Sequence, residues 1–384
     1  MATSYDAVIV GARCAGAATA LLLARTGARV LVVDRGVYGS DTLSTHALMR
    51  GAVLQLRRWG VLSAIVAADT PPVRSTTFSY VGQDVTVAIE PRQGVDALYA
   101  PRRALLDRIL ADAASESGAE FEYGTRVEAL KTDGRGRVRG IVAGGTAIYA
   151  DVVVGADGLH STIGRLVDAQ TMLEARHAAG VLYTYWQDLP ADGFYWGFRR
   201  AVNFGIIPTN GGATCVFVGV GAQRFRDEVH GDSAAAYHRL IREAAPELEA
   251  RLSAARRVEP IHGFGGHPGF IRRGAGPGWA LVGDAAYFKD PATAHGITDA
   301  LRDAELLAHA ILDGTTDAWS TYERTRFDLS KPVLELTDAI VSFAHTEAEL
   351  QALHRAFSSE LSREARAIAA WEPLTRSLRL AAAS

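Results

Sequence analysis

The chain has 384 residues, of which 48% are hydrophobic and 22% charged, and its net charge is −3 at neutral pH. This is the composition of a globular protein with two or three packed units, and the absence of a polybasic block argues against nucleic acid or an anionic membrane as partner. No uncharged apolar run is long enough to span a membrane and no signal peptide precedes the first strand, so we expect a cytoplasmic protein.

The amino-terminal segment has the layout of a βαβ nucleotide-binding unit. It predicts a strand, a glycine-containing loop, a helix and a second strand over residues 5–10, 11–16, 17–25 and 29–33. Asp34 follows the second strand, where an acidic residue binds a ribose diol. Arg13 stands at the position of the second glycine in the GxGxxG sequence of nucleotide-binding loops. Its guanidinium either binds the phosphates or points to solvent. The loop residues predicted to contact the cofactor are Gly11, Arg13, Cys14, Ala15 and Gly16.

The next segments alternate between helical and strand patterns. A polar loop, 41–46, precedes a helix over 47–56, and Ser44 or Thr45 could serve as its N-cap. Residues 71–90 lose the helical pattern and predict short strands, whereas 100–110 returns to an amphipathic helix. A buried strand is then predicted to end at Asp157-Gly158, followed by a serine N-cap.

Aromatic and β-branched residues dominate residues 171–221, which predict an antiparallel sheet. Most of these aromatic side chains are expected to pack in the core, and a minority to line a flat apolar pocket. Alternate residues of a strand share a face. The tentative pocket residues are Tyr183, Tyr185, Trp196, Phe198 and Phe204.

The stretch from Gly278 to Leu307 is the most informative part of the chain. A short apolar strand ends at Gly283-Asp284, and a helix is predicted to begin near Ile297 after a small-residue loop. The unpaired N–H groups and the dipole of that helix favour an anionic or electron-rich group above Gly296.

Several of these motifs together resemble the FAD-dependent aromatic hydroxylases of the para-hydroxybenzoate hydroxylase type, the class A flavoprotein monooxygenases. The resemblance is carried by Arg103-x-x-Leu106-Asp107, Asp157-Gly158, Gly283-Asp284 and Pro291 to Thr298. It implies that Asp284 binds the ribityl chain of FAD, that Arg103 lies near the pyrophosphate, and that Asp157 contributes to FAD and pyridine-nucleotide binding. The other cofactor contacts it implies are Arg35, Thr45, His46, Val127, Gly283, Pro291, Gly296, Ile297 and Thr298.

The resemblance also implies the fold, an α/β architecture. A glutathione-reductase-like, Rossmann-type FAD-binding domain would comprise residues 1–70, 100–170 and 261–316. An antiparallel-sheet substrate domain, 71–99 and 171–260, would be interleaved with it, and a helical region, 317–384, would follow.

The reaction implied is hydroxylation of an aromatic or polyene small molecule, in secondary metabolism, through a flavin C4a-hydroperoxide. NAD(P)H would be the transient reductant and O2 the co-substrate. The catalytic positions implied are His295, Gly296 and Ile297, beside the reduced flavin. We expect a monomer or homodimer.

Other functions remain open on the sequence alone. A flavin dehydrogenase or reductase of the geranylgeranyl-reductase type would share the FAD domain without inserting oxygen. A flavin-dependent halogenase is disfavoured, because only Trp196 matches that group's Trp-x-Trp-x-Ile-Pro motif and no lysine precedes Lys131. A catalytically silent FAD-binding protein is a further alternative. No metal site is predicted, since His262 and His267 lack ligand spacing and the two cysteines form no cluster.

Overall fold

The structure is a computed structural model that describes residues 4–229 and 231–374. Its α-helices are α1 (Cys14–Arg25), α2 (Arg50–Arg58), α3 (Leu62–Ala67), α4 (Arg103–Glu116), α5 (Thr162–Leu166), α6 (Ala222–Glu228), α7 (Ser233–Ala244), α8 (Pro246–Ala254), α9 (Gly296–Asp313), α10 (Thr316–Val341) and α11 (Glu347–Ala370). Short 3₁₀ turns cover Asn210–Gly212, Gly283–Ala285 and Pro291–Thr293.

Within the described residues the strands form three sheets. They are β1 (Ser4–Val10), β2 (Val30–Asp34), β3 (Ser75–Tyr80), β4 (Gln83–Ala88), β5 (Glu120–Tyr123), β6 (Val127–Thr132), β7 (Val138–Ala143), β8 (Thr146–Gly155), β9 (Thr171–Glu174), β10 (Ala179–Gln187), β11 (Phe194–Arg199), β12 (Val202–Pro208), β13 (Thr214–Gly221), β14 (Arg256–Arg257), β15 (His262–Phe264), β16 (Phe270–Arg272), β17 (Ala275–Gly276), β18 (Trp279–Leu281) and β19 (Tyr287–Phe288).

The first sheet has the strand order β17-β18-β8-β1-β2-β5, and its strands from β18 to β5 run parallel. The antiparallel strands β6 and β7 extend it through β8, the longest strand, whose first half pairs with β7 and second half with β1. Because parallel strands end at the same edge, the loops after Val10, Asp34, Gly155 and Leu281 meet there, where open α/β sheets bind ligands.

The second sheet has the order β14-β10-β13-β12-β11-β3-β4, with β15 paired to β10. It is antiparallel except where β11 runs parallel to β3. One face packs into the core that contains α1 and α9, and the other face packs on α7 and α8. The α/β architecture with a separate, mainly antiparallel sheet agrees with the predicted fold class.

The predicted division into domains stays a prediction, and two short strands pair across its boundaries. β15 lies in the range assigned to the FAD-binding domain but adds to the second sheet. β9 lies in the range assigned to the substrate domain but joins β16 and β19 in a third sheet. Strands of three or four residues carry too little pattern to reveal their partners from sequence.

The carboxyl-terminal region is helical, as predicted, through α10 and α11; residues 375–384 lie outside the described part of the chain. A capping box, in which Thr346 and Glu349 exchange hydrogen bonds, starts α11. α11 then packs on α10 and α2, while α9 packs between α1, α2 and α10. Within the described ranges, every helix is too short or too polar to cross a membrane.

Candidate cofactor site

The glycine loop after β1 is packed so closely that two positions require glycine. Gly11 has φ 110°, and a Cβ atom there would lie 2.3 Å from the carbonyl oxygen of Ala156. A Cβ atom on Gly16 would lie 1.8 Å from the carbonyl oxygen of Gly11. The loop therefore brings the amino terminus of α1 against the end of β8, as a nucleotide fold requires.

Asp34 ties the end of β2 to this loop. Its carboxylate accepts hydrogen bonds from the backbone N–H of Ala12 at 2.7 Å and of Gly36 at 2.6 Å. Next to it is a recess lined by Arg13, Ser40 and Tyr123. Arg35 is exposed beyond the strand end. The predicted ribose-binding carboxylate is thus held at the edge of the sheet.

Arg13 does not point freely to solvent. Its guanidinium pairs with Asp107 at 3.0 Å and donates to the carbonyl oxygens of Ser40 and Asp41. Asp107 also accepts from Arg103 and from the backbone N–H of Cys14, which belongs to the first turn of α1. Two guanidinium groups therefore meet at the helix end where a nucleotide fold binds phosphate.

Asp157 serves mainly as a cap in this structure. One carboxylate oxygen accepts from the Ser161 hydroxyl at 2.5 Å, and the other accepts from the N–H groups of Thr162 and Ile163. The side chain therefore stabilises the amino terminus of α5. Its predicted contact with FAD or a pyridine nucleotide stays a proposal.

Asp284 and the start of α9 lie at the same edge. Asp284 is half-buried in the 3₁₀ turn after β18, and burial raises the pKa of its carboxyl to about 6 although Arg103 and Lys289 lower it. Gly283 packs on Ala15 of α1, because a Cβ atom there would lie 2.8 Å from the Ala15 Cβ. The space beside Gly296 is open: apart from its chain neighbours and the backbone of its own helix, no atom lies within 4 Å of an added Cβ.

The loop from Pro291 to Thr298 is held at both ends. Pro291 follows Asp290, whose side chain caps the 3₁₀ turn by accepting from the N–H of Ala292. At the other end, the Thr298 hydroxyl accepts from the N–H of Met49 at 3.3 Å, which joins the first turn of α9 to the N-cap of α2. The residue before α2 therefore contacts the first turn of α9.

His46 occupies an unusual position beside this contact. It has φ 65°, is 1% exposed, and pairs through Nε2 with the hydroxyl of Tyr185. Burial, together with the charge of Arg102, lowers the pKa of His46 to about 3, so its imidazole is neutral. The guanidinium of Arg102 lies 3.7 Å from the centre of the Tyr185 ring. Thr45, by contrast, makes none of the described side-chain hydrogen bonds and is half-buried.

The five tentative pocket residues separate into three groups. Tyr183, Tyr185 and Trp196 lie in the same hydrophobic cluster as Ile297 of α9. Phe198 is only partly buried; it packs against that cluster and against His354 of α11, with ring centres 4.2 Å apart. Phe204 lies on the opposite face of the sheet, in the cluster formed with α7 and α8, so we leave it out of the proposed pocket.

Val127 lies apart from the residues above. It begins β6, is 6% exposed, and packs in the cluster on the other side of the first sheet, with Val33 and Ile141. Its predicted contact with the cofactor stays a proposal.

Sequence reasoning named His295 but missed the buried ionic cluster to which it belongs, at the first turn of α9. It contains Lys289, His295, Asp299, Arg302, Asp303 and Glu364, none of them more than 5% exposed. Burial lowers the pKa of Lys289 to about 7. The available signal was the run of charged residues at helical spacing inside the apolar pattern of α9, but nothing in sequence identifies Glu364 as their partner.

The polar groups of these residues match the polar groups of an FAD molecule. The close-packed loop, the two guanidinium groups and the start of α1 suit a pyrophosphate, and Asp34 suits a ribose diol. The open space at Gly296 and the unpartnered first-turn N–H groups of α9 suit an electron-rich ring. The fold and this site define a flavin-dependent oxidoreductase.

Comparison with known proteins supports the same class. Residues 4–337 match the family described as FAD binding domain, so the chain belongs to that family, and the predicted class A flavoprotein superfamily is confirmed. A menaquinone reductase of Mycolicibacterium smegmatis is 32% identical over 84% of this chain and 80% of that protein. The chain is therefore an FAD-dependent oxidoreductase.

Two further relatives differ in activity. A digeranylgeranylglycerophospholipid reductase of Methanothrix thermoacetophila is 28% identical over 92% of each chain. A 6-methylpretetramide 4-monooxygenase of Streptomyces rimosus is 28% identical over 80% of this chain and 75% of that protein. Among solved structures, the flavin-dependent brominase Bmp2 superposes with a TM-score of 0.80 at 19% identity, over 99% of this chain and 98% of that one, a likeness of fold alone.

Proposed function

We propose that this chain is an NAD(P)H-dependent FAD monooxygenase that hydroxylates an aromatic or polyene small molecule. The observation that carries the proposal is the aromatic face of the second sheet. Tyr183, Tyr185 and Trp196 share one buried cluster with Ile297, the second residue of α9. These aromatic side chains belong to the same core as the start of that helix, and an apolar aromatic face suits a planar, weakly polar substrate.

The residues of the chain have distinct roles in this proposal. Bound FAD would supply the redox chemistry, including reaction with O2. The first turn of α9 directs N–H groups and the positive end of its dipole toward the open space at Gly296, where they stabilise negative charge. Arg13 and Arg103 would hold the pyrophosphate, and Asp34 the ribose.

The Tyr185–His46 pair would orient a polar group of the substrate. Both side chains are buried, and neutral His46 can exchange hydrogen bonds with the tyrosine hydroxyl without itself carrying a charge. Burial raises the pKa of Tyr185, so the hydroxyl keeps its proton at physiological pH. The pair is therefore an uncharged hydrogen-bonding group, with the Arg102 guanidinium lying over the Tyr185 ring.

A second candidate is reduction of a carbon–carbon double bond in an isoprenoid quinone or lipid. It is favoured by the identity to a menaquinone reductase and by the likeness to a digeranylgeranylglycerophospholipid reductase over nearly the whole of both chains. In this reaction a hydride from the flavin must be matched by a proton at the neighbouring carbon of the double bond.

Product analysis with isotopically labelled O2 separates the two candidates. The purified FAD-loaded protein is given NADH or NADPH with a panel of phenols, polyketide aromatics, polyenes and prenylated quinones. A product that gains one labelled oxygen atom supports the monooxygenase. A product that gains two hydrogen atoms and no label supports the reductase and overturns the first proposal.

A further inference from the structure

A cleft at the edge of the first sheet takes no part in the cofactor and substrate sites described above. Its volume is about 780 Å³, and it is lined by the edge hairpin of β17 and β18 and by the first half of α10. Cavities that bind small molecules have volumes of roughly 300–1,000 Å³. The hairpin turn that lines the cleft precedes β18, whereas Asp284 and the cofactor edge follow that strand. The cleft is therefore distinct from the FAD site.

The apolar part of the cleft is aromatic. Trp279 of β18 and both Trp319 and Phe327 of α10 contribute to the lining. Trp279 is 8% exposed and rests on its own hairpin, where a Cβ atom on Gly276 would lie 2.4 Å from the indole ring. Trp319 and Phe327 are half-buried. Such rings offer stacked or edge-to-face contacts to a planar aromatic ligand.

Three arginines from different parts of the chain also line the cleft. They are Arg137, next to β7, Arg273, after β16, and Arg324 of α10. In the described part of the chain, their side-chain hydrogen bonds run to carbonyl oxygens and to one threonine hydroxyl, not to a carboxylate. Guanidinium groups without a carboxylate partner are available to an anion.

Two acidic residues of the lining do not cancel this positive charge. The Glu323 carboxylate accepts from the backbone N–H of Gly274 at 2.7 Å and pairs with buried Arg326 at 3.4 Å. Asp328 lies at an exposed position at the end of the lining segment of α10. The cleft therefore has an excess of positive charge, and the ligand that complements it is negative.

We propose that this cleft is a second ligand site, which binds a small planar aromatic anion such as an aryl carboxylate. The ring packs against the two tryptophans, and the three arginines surround the negative group. Both features are needed, because a neutral ring would leave the guanidinium groups unpaired and an anion without a ring would leave the indole rings uncovered. The site binds its ligand whichever reaction takes place at the flavin.

Titration calorimetry of the FAD-loaded protein with 2-naphthoate tests the proposal. We expect one saturable site whose Kd rises as salt is added, because salt screens exposed charges. 2-Naphthamide, which has nearly the same shape without the charge, should bind about tenfold more weakly. Failure of 2-naphthoate to bind saturably would overturn the proposal, as would equal affinity for the amide.

Substitutions in the cleft locate the bound probe. Arg273→Gln and Arg324→Gln change exposed residues, so the variants should fold, and each should weaken naphthoate binding by about 3- to 10-fold. Trp319→Leu should weaken binding of both the acid and the amide. Arg251→Gln is the control, an exposed arginine of α8 that bonds the Pro190 carbonyl, and it should leave the Kd unchanged. Binding that both arginine changes in the cleft leave intact would place the probe elsewhere and overturn the proposal.

A second copy of the chain is the other occupant that an aromatic cleft could take, and light scattering detects it. A molar mass in solution that Trp319→Leu leaves unchanged agrees with a ligand site. A dimer that the same change dissociates would assign the cleft to a contact between subunits and overturn the proposal.

Discussion

The hydroxyl of Tyr185 is hydrogen-bonded to Nε2 of His46, although 139 residues separate them in the chain. The contact connects the middle of β10 in the second sheet to the loop that follows the nucleotide-binding unit. His46 keeps a left-handed backbone conformation to make it, with φ 65°, which costs a non-glycine residue about 1–3 kcal/mol. A conformation of this kind persists only where the surroundings hold it in place, and here those surroundings are the aromatic face proposed to bind the substrate.

Removing the Tyr185 hydroxyl should destabilise the protein measurably. In Tyr185→Phe, both ring nitrogens of buried His46 lack partners, so we expect the free energy of unfolding to fall by about 1–3 kcal/mol. Urea denaturation of the purified variant measures this. Tyr195→Phe is the control on the same sheet, because its exposed hydroxyl makes only a 3.4 Å contact with Asp84 and should matter little. Equal effects of the two changes would contradict a special role for the pair.

Asp34 should be needed for cofactor affinity. Asp34→Ala removes the acceptor of the Ala12 and Gly36 N–H groups and the carboxylate proposed to bind the ribose. We expect FAD binding to weaken by about 10- to 100-fold, the loss of one or two charge-assisted hydrogen bonds. Flavin fluorescence titration gives the Kd. Asp34→Asn keeps one oxygen acceptor and should lose less, whereas an unchanged Kd in Asp34→Ala would place the ribose elsewhere.

The pKa of Asp284 predicts a pH-dependent stability in the FAD-free protein. Burial raises this pKa from its ordinary value of 3.8 to about 6, so the folded state binds the proton more tightly than the unfolded state does. The contribution of Asp284 to stability is therefore present at low pH and is lost as the pH rises through about 6.

The side-chain amide in Asp284→Asn cannot ionise, so this variant should not lose stability in this way as the pH rises. Relative to the unmodified protein, the variant should gain about 1–3 kcal/mol in free energy of unfolding between pH 4 and pH 8. Thermal or urea unfolding across that range measures the difference. Asp192→Asn, at an exposed position, should leave the profile unchanged. A constant difference between Asp284→Asn and the unmodified protein would contradict the argument. With FAD present, the same variant should bind the cofactor more weakly.

Two aromatic residues of the second sheet offer a matched test of which face binds the substrate. Trp196 shares a cluster with Ile297 and Phe204 shares one with α7 and α8, yet both are buried in neighbouring strands. Either change to leucine should destabilise the fold by a few kcal/mol. Only Trp196→Leu should raise KM for the substrate by about tenfold or more. Once a substrate is found, steady-state kinetics on variants of comparable stability decide this, and a larger KM effect of Phe204→Leu would reverse the assignment of the faces.

Local sequence patterns predicted the parts of the site that sit within single elements. Gly11 and Gly16 are recognisable because the nucleotide-binding loop needs glycine at both positions, and Asp34 because it ends a strand at the expected distance. The start of α9 was predicted at Ile297 and lies one residue earlier, at Gly296. Such features depend on backbone geometry and on periodicity, which neighbouring residues determine.

The face of the sheet on which Phe204 lies could not be predicted in the same way. Alternation along a strand separates residues into two faces, but both faces of the second sheet are buried, so hydrophobicity does not distinguish them. Arg13 is a similar case, because its partner Asp107 comes from α4, and no local pattern selects that carboxylate over solvent.

The sequence by itself determined the class of protein, because the glycine loop, the strand ends and the helix start each need only a short stretch of chain. Tertiary structure alone decided the partnerships between distant residues: Tyr185 with His46, and Glu364 with His295. Hydrogen bonds and ion pairs between elements depend on the packing of whole helices and sheets. The sequence around a charged or polar residue therefore does not identify its buried partner.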